Sequence, residues 1–173
     1  VGNFIATLNK TLSSDMIFSM QFAEQLVETW RINDRLNLYL LEGIEDAALS
    51  VPLAKGKAVD AQFAHIHNVR LMWLKVTAPS ALDRLTKLEK GSLSREELKA
   101  SLTASGEAIA EVVKAAAESD GRIKGFKPHV TAFVGYMVAH EANHRGQIEL
   151  ALRQAGVPLS DKTAYGMWEW GTR

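Results

Sequence analysis

The sequence contains no cysteine. That excludes a disulfide framework, a thiolate metal site and a cysteine nucleophile, so any sulfur chemistry must take its thiol from a substrate. Neither sign of charge is in excess, since twenty Lys and Arg offset twenty Asp and Glu. A chain without net charge sets up no field toward nucleic acid or anionic lipid, and neither is expected as a partner, a local patch aside. No stretch stays apolar for the ~18 residues of a membrane span. Residues 1–15 hold one Lys and no long apolar block, which is not the pattern of a signal peptide. The expectation is a soluble cytoplasmic protein. Repeats, low-complexity stretches, dividing linkers and clear strand patterns are also lacking. What remains is 173 residues, 47% of them hydrophobic, enough for one domain over residues 1–173 with a sizeable core.

Four long segments carry helical periodicity. The first is expected over about Asp15–Glu42, capped by Asp15 and ended by Gly43, with Phe18, Phe22, Leu26, Leu36 and Leu40 near one face. Asn33 falls within that apolar stripe and needs a hydrogen-bonding partner there. The second runs from Val59 to Val76 and stops at Thr77-Ala78-Pro79. A short helix is expected over Ser80–Lys90. The third opens on Ser94-Arg95-Glu96-Glu97, a capping box, and continues through Leu98, Leu102, Ile109 and Val113 to about Glu118. Gly106 lies inside it at a cost of about 1 kcal/mol against Ala. Residues 119–127 read as a turn. Pro128 then suits the first turn of a fourth helix reaching about Ala155, with Gly156 and Pro158 as stops. The tail, residues 159–173, carries Tyr165, Trp168 and Trp170, expected to pack on the domain. The whole predicts an all-α four-helix bundle. Connections 43–58 and 79–93 exceed what an antiparallel hairpin needs, so at least one can cross the length of the bundle.

The sharpest chemical signal is His140-Glu141-Ala142-Asn143-His144. Histidines at i and i+4 stand one turn apart and about 40° apart around the axis, so both imidazoles can reach one ion. Phe133, Met137, Ile148 and Ala151 share their stripe, which turns the pair into the bundle. Two imidazoles forced together in an apolar setting are satisfied at once by a divalent metal. A further ligand can come from the second helix. His65 and His67 sit about 200° apart there and cannot both serve; His65 lies beside the stripe of Val69, Met72 and Val76 and is preferred. His129 is about 16 Å along the helix from His140, too far for the same ion, and reads as a residue near a helix start. Three histidines leave coordination positions open, the mark of a catalytic or substrate-binding ion, and Zn, Ni, Fe(II), Mn and Co all suit such a site.

The same five residues match the HExxH of zinc proteases, whose Glu is a general base. Against that reading, Gln147 and Leu150 stand where the metzincin extension needs Gly and His, and no strand is evident to hold an extended peptide. Glu141-x-x-His144 is also the ExxH of di-iron bundles, but its counterpart Gln62-Phe63-Ala64-His65 has Gln for Glu.

Two blocks, Phe63-Ala64-His65 through Trp73-Leu74 and His140-Glu141-Ala142-Asn143-His144-Arg145-Gly146-Gln147-Ile148, together with helix order and length, resemble the DinB-like (YfiT-like) family of bacterial metal-binding four-helix bundles. The resemblance implies a metal triad of His65, His140 and His144. It implies up-down-down-up helix order with the crossover between helices two and three, and a homodimer. It further implies a metal-dependent enzyme working with a low-molecular-weight thiol, the best specific expectation being S-transfer to a small electrophile. The alternatives are a metal-stabilised or ligand-binding module without turnover, and a metal-dependent hydrolase. Around the triad several residues have two readings each. Asn33 points at the site or satisfies backbone. Trp73 walls the pocket or belongs to the core. Glu141 is a base or outer-sphere acceptor, or lies at a surface or interface. Arg145 binds a substrate carboxylate or is solvated. Gln147 is carried as a pocket residue. Gly146, in mid-helix, suggests a close neighbour such as helix one.

Overall fold

Four helices carry the chain. They are α1 Gly2–Glu42, α2 Val59–Thr77, α3 Arg95–Ala117 and α4 Val130–Gln154. The computed structural model describes the backbone of residues 2–53, 58–89 and 91–173, and side chains from residue 21 onward within those spans. Between α3 and α4 lies an antiparallel hairpin, β1 Arg122–Ile123 and β2 Phe126–His129, and a short helix, α5 Asp161–Gly166, follows α4. No described helix is long and apolar enough to cross a membrane.

Two layers of core fix the direction of each helix. One gathers Leu26, Val27 and Trp30 of α1, the late residues Leu71 and Leu74 of α2, Ile109 and Val113 of α3, and the early residues Phe133 and Met137 of α4. The other gathers Leu40 and Leu41, the early residues Val59 and Phe63 of α2, Leu98 and Leu102 of α3, and Ile148 and Leu152 of α4. The end of α1 therefore meets the starts of α2 and α3 and the end of α4. This is up-down-down-up order, with α2 and α3 parallel.

Parallel neighbours require the chain to travel back the full length of the bundle, and residues 78–94 do so. Side chains of α2 pin that crossover along its path. His67 Nε2 lies 3.0 Å from the Thr86 carbonyl, Asn68 exchanges two hydrogen bonds with the Leu88 backbone, and Asp60 accepts from the Leu93 amide at 3.2 Å. His67 is thus a structural histidine, its Nδ1 being 2.9 Å from the Ser101 carbonyl of α3. In the other long connection, the described residues 43–53 include a 3-10 turn at Asp46–Ser50.

Local chemistry accounts for the ends. Ser94 and Glu97 form the expected capping box on α3. Arg95 then donates to the Leu41 and Ile44 carbonyls and pairs with Asp46, satisfying carbonyls that the end of α1 leaves open. His129 is the N-cap of α4, its Nδ1 accepting from the Ala132 amide.

Several expectations shift. α1 starts at Gly2, so Asp15 lies within the helix and does not cap it. Leu26, Leu36 and Leu40 are buried, whereas Phe22 is exposed; the Phe18 side chain and Lys90 lie outside the described residues. Within the expected helix at 80–90, the described residues 80–89 form no α-helix, only a 3-10 turn over Pro79–Arg84, because the segment is stretched along α2. The turn at 119–127 holds the hairpin, whose strands are too short to show a period. Pro128 belongs to β2, and α4 begins two residues later. Gly146 has open space beside it and no close neighbour; Gly106 does have one, the carboxylate of Asp34. The tail docks on α1 through Thr163 against Gly43, Gly166 against Tyr39, and Arg173 stacked 3.9 Å from the Tyr39 ring. Tyr165 and Trp168 remain 73% and 82% exposed.

Two outcomes are expected. Gly106→Ala adds helix propensity yet drives a methyl into the Asp34 carboxylate. It should lower stability by about 1–3 kcal/mol and Tm by several degrees, measured by thermal unfolding. Burial holds the His67 pKa below the ordinary imidazole range, against pulls upward from the Thr86 and Ser101 carbonyls. The unfolded chain then binds more protons below about pH 6.5, so stability is full above that value and declines as pH falls through it. Tm recorded between about pH 7.5 and 5.5 should show this, and His67→Asn should flatten the slope.

Candidate metal centre

The stacking of α2 against α4 brings three imidazoles together. One ring nitrogen from each of His65, His140 and His144 lies within 4.8 Å of the other two, a set that could hold a metal ion. Ring centroids are 4.6 Å apart for His140–His144 and His65–His144, and 5.5 Å for His65–His140. His144 is buried, while His65 and His140 are half-buried, so the cluster sits in the α2–α4 groove with one side reachable from solvent. Phe133, Met137, Ile148 and Ala151 on the same stripe of α4 are all buried.

Protonation is set by neighbours. The His144 Nδ1–H donates to Gln62 Oε1 at 2.7 Å, which leaves the Nε2 lone pair directed at His140 Nε2, 3.2 Å away. A partner on the far nitrogen is the usual means by which a ligating imidazole is oriented. Burial lowers the His140 pKa, against a weaker upward pull from Glu141, and favours the neutral ring that can ligate. His140 Nδ1 is buried without a hydrogen-bond partner, in contrast to His67, whose two nitrogens both meet carbonyls. His140 Nε2 instead faces the other two rings, so the nitrogen available to an ion at the cluster is Nε2.

Glu141 faces elsewhere. One residue on from His140, it is rotated about 100° around α4 and is fully buried at the centre of the bundle. Arg70 Nε and Nη2 donate to its two oxygens at 2.7 and 2.9 Å, and Asn33 and Asn37 both donate to Oε2 at 2.6 Å. Arg70 Nη1 donates to Asp34 Oδ1 at 2.7 Å and to the Leu102 carbonyl at 2.9 Å. Arg145 closes the network, donating to Asn33 and Asn37 Oδ1 at 3.0 and 2.7 Å. Burial alone would lower the Arg70 pKa, but pairing with Glu141 and Asp34 outweighs it and holds the guanidinium above its ordinary range. Burial raises the Asp34 pKa, with Arg70 opposing.

The surrounding expectations resolve accordingly. Glu141 lies neither at a surface nor against the imidazoles; it is the buried partner of Arg70. A carboxylate so engaged is not the general base of an HExxH protease. Arg145 is buried, with Nη1 bonded to α1 and not directed at the triad. Asn33 has the partner its position demanded, and that partner is Glu141 rather than the triad. Trp73 packs edge-on to Phe126, Phe133 and Tyr136, and Tyr136 stacks on His140 with centroids 6.3 Å apart. Gln147 lines a small cleft together with Gln62. Two neighbours of the triad escaped the sequence reading. Gln62 stands three residues before His65 and Tyr136 four before His140, spacings that place each on its histidine's face.

A family model, the DinB family, matches residues 16–170 of the chain. No curated protein and no solved structure matches it.

Because Glu141 neutralises a buried guanidinium, Glu141→Gln should cost about 3–5 kcal/mol of stability, read as a lower urea midpoint. A base at the histidine cluster would instead give lost activity at unchanged midpoint.

Proposed function

The chain belongs to the DinB family, and we propose that it binds one divalent transition metal through His65, His140 and His144 and works as a thiol-dependent S-transferase on small electrophiles. The observation that carries the reading is the convergence of three imidazole nitrogens from α2 and α4 within 4.8 Å. Three protein ligands leave a coordination position for a reactant. When bound, the ion supplies a positive centre that holds a thiol sulfur as thiolate at neutral pH.

The chain's own residues support that role. Gln62 fixes the proton of His144 on Nδ1, so that Nε2 faces the cluster. Burial keeps His140 neutral. The α2–α4 groove leaves one side of the cluster open, where sulfur and electrophile can meet. Among the described residues the cluster contains histidines alone, because Glu141 is held by Arg70 on the inner face. A nucleophile used here therefore gets no help from an adjacent carboxylate base. The activating charge must then come from the ion itself, which lowers the pKa of a bound thiol and of a bound water alike.

Elemental analysis of the purified protein should give about one transition metal per chain, lost in His144→Ala at unchanged helical content. Thiol titration of the loaded protein should saturate at about one equivalent. No uptake after reconstitution with Zn, Ni, Mn and Fe(II) would remove the basis for the reading. Turnover of activated esters without any thiol would replace transfer by hydrolysis.

A further inference from the structure

A cleft of about 210 Å³ separates the tail from α4, on the far side of that helix from the histidines. Val138, Ala142, Arg145 and Glu149, at i, i+4, i+7 and i+11, make one stripe of α4 there. That stripe is roughly 150° around the axis from His140 and His144. Gly146 stands beside it, with open space where a side chain would be. Trp168 and Trp170 form the facing wall. The tail that carries them is tied to α1 and to itself. The Tyr39 hydroxyl donates to the Lys162 carbonyl at 3.0 Å, Arg35 Nη2 donates to the Arg173 carbonyl at 2.5 Å, and Arg173 Nε donates to the Gly166 carbonyl at 3.0 Å.

Arg145 gives the cleft its chemistry. It is only 8% exposed, yet it lines the cleft. Its Nη1 is taken by the Asn33 and Asn37 carboxamides. Among the described residues nothing accepts from Nε or Nη2, and neither atom is closed off from solvent. Those two N–H groups are the edge of a guanidinium that grips both oxygens of a carboxylate in parallel. Arg70 shows the same edge filled, with Nε and Nη2 donating to Glu141 at 2.7 and 2.9 Å. The two carboxylates of the central network, Glu141 and Asp34, are both directed at Arg70, so Arg145 is bonded to neutral amides alone. A guanidinium taken so far out of water is only partly compensated by such partners. Glu149 at the rim is paired with Arg153 at 2.8 Å. One cationic edge near an acidic rim suits a single negative charge and disfavours a dianion. Indole rings facing the small residues Ala142 and Gly146 leave a slot for a flat apolar body.

We propose that this cleft is a binding site for a monocarboxylate with a flat apolar body. The carboxylate lies on Nε and Nη2 of Arg145, and the body lies between the two tryptophans and the floor of Val138, Ala142 and Gly146. The site is separate from the histidine cluster and needs no metal.

Benzoate is the probe, with benzamide as its neutral counterpart. Titrated into the full chain, benzoate should shift the side-chain N–H NMR signals of Arg145 Nε, Trp168 and Trp170. It should bind at least about tenfold tighter than benzamide, the worth of one charge-assisted hydrogen bond. Two variants leave the buried network intact. Gly146→Leu puts a side chain into the open space and should abolish binding, while Trp168→Ala removes an exposed wall and should weaken it about fivefold. His144→Ala should bind benzoate as the wild type does. Equal affinities for benzoate and benzamide, an unmoved Arg145 Nε signal, or binding that survives Gly146→Leu would overturn the site. Loss of benzoate binding in His144→Ala would overturn it too, by placing the anion at the histidine cluster.

Discussion

The ion pair between Arg70 and Glu141 is the constraint on which the rest of the molecule depends. Both side chains are fully buried, and taking two charges out of water is tolerable only when geometry and further hydrogen bonds are nearly complete. They are complete here because every long helix contributes. α1 brings Asn33, Asp34 and Asn37, α2 brings Arg70, α3 brings the Leu102 carbonyl, and α4 brings Glu141 and Arg145. Trp30 adds its ring 4.9 Å from the Arg70 guanidinium and donates to the Gly106 carbonyl at 2.8 Å. An apolar core tolerates sliding of one helix past another, whereas this network has one register. It fixes α2 against α4, and that spacing sets how near His65 comes to His140 and His144.

The motif in α4 therefore does two jobs with adjacent letters. His140 and His144 turn toward α2, where His65 meets them, while Glu141 and Arg145 turn to the central network. Helices are usually divided into a dry face and a wet face. In α4 the charged residues of the middle turns are inside, and small residues such as Gly135, Ala142 and Gly146 are outside. A motif match that assigns the Glu to the metal because it stands between two histidines overlooks this rotation.

Much of this was legible in the sequence, and the rest was not for definite reasons. The end of α2 and the start of α3 could be read because the stop at Thr77-Ala78-Pro79 and the capping box at Ser94 are local signals. Helical phase showed that His65 and His67 could not both face the α4 pair and gave His65 the preference, and the family resemblance named the same residue. Phase also showed that Asn33 needed a partner, but could not name Glu141, because that contact spans helices distant in the chain. The same blindness hid Arg70, which shares a mixed face of α2 with His67 and Leu74. The hairpin escaped because two- and four-residue strands have no period. Residues 80–90 read as a helix because their contacts with Asn68 and His67 are tertiary. Which family the chain belongs to was visible in its two blocks, since those residues carry both the triad and the buried pair.

The return of the chain between α2 and α3 has a consequence for how the histidine cluster comes into being. Neither of the two segments that supply it can assemble it alone, for the crossover, α3 and the hairpin all lie between them in sequence. Early-forming pieces such as the β1–β2 turn or a single helix contain at most two of the three imidazoles. The loop that must close is long, and its entropy is recovered only when α4 docks. An ion captured by all three rings would thus report the finished bundle rather than any fragment of it. Its affinity would be tied to global stability, and each substitution that loosens the distant core would be felt at the cluster as weaker capture.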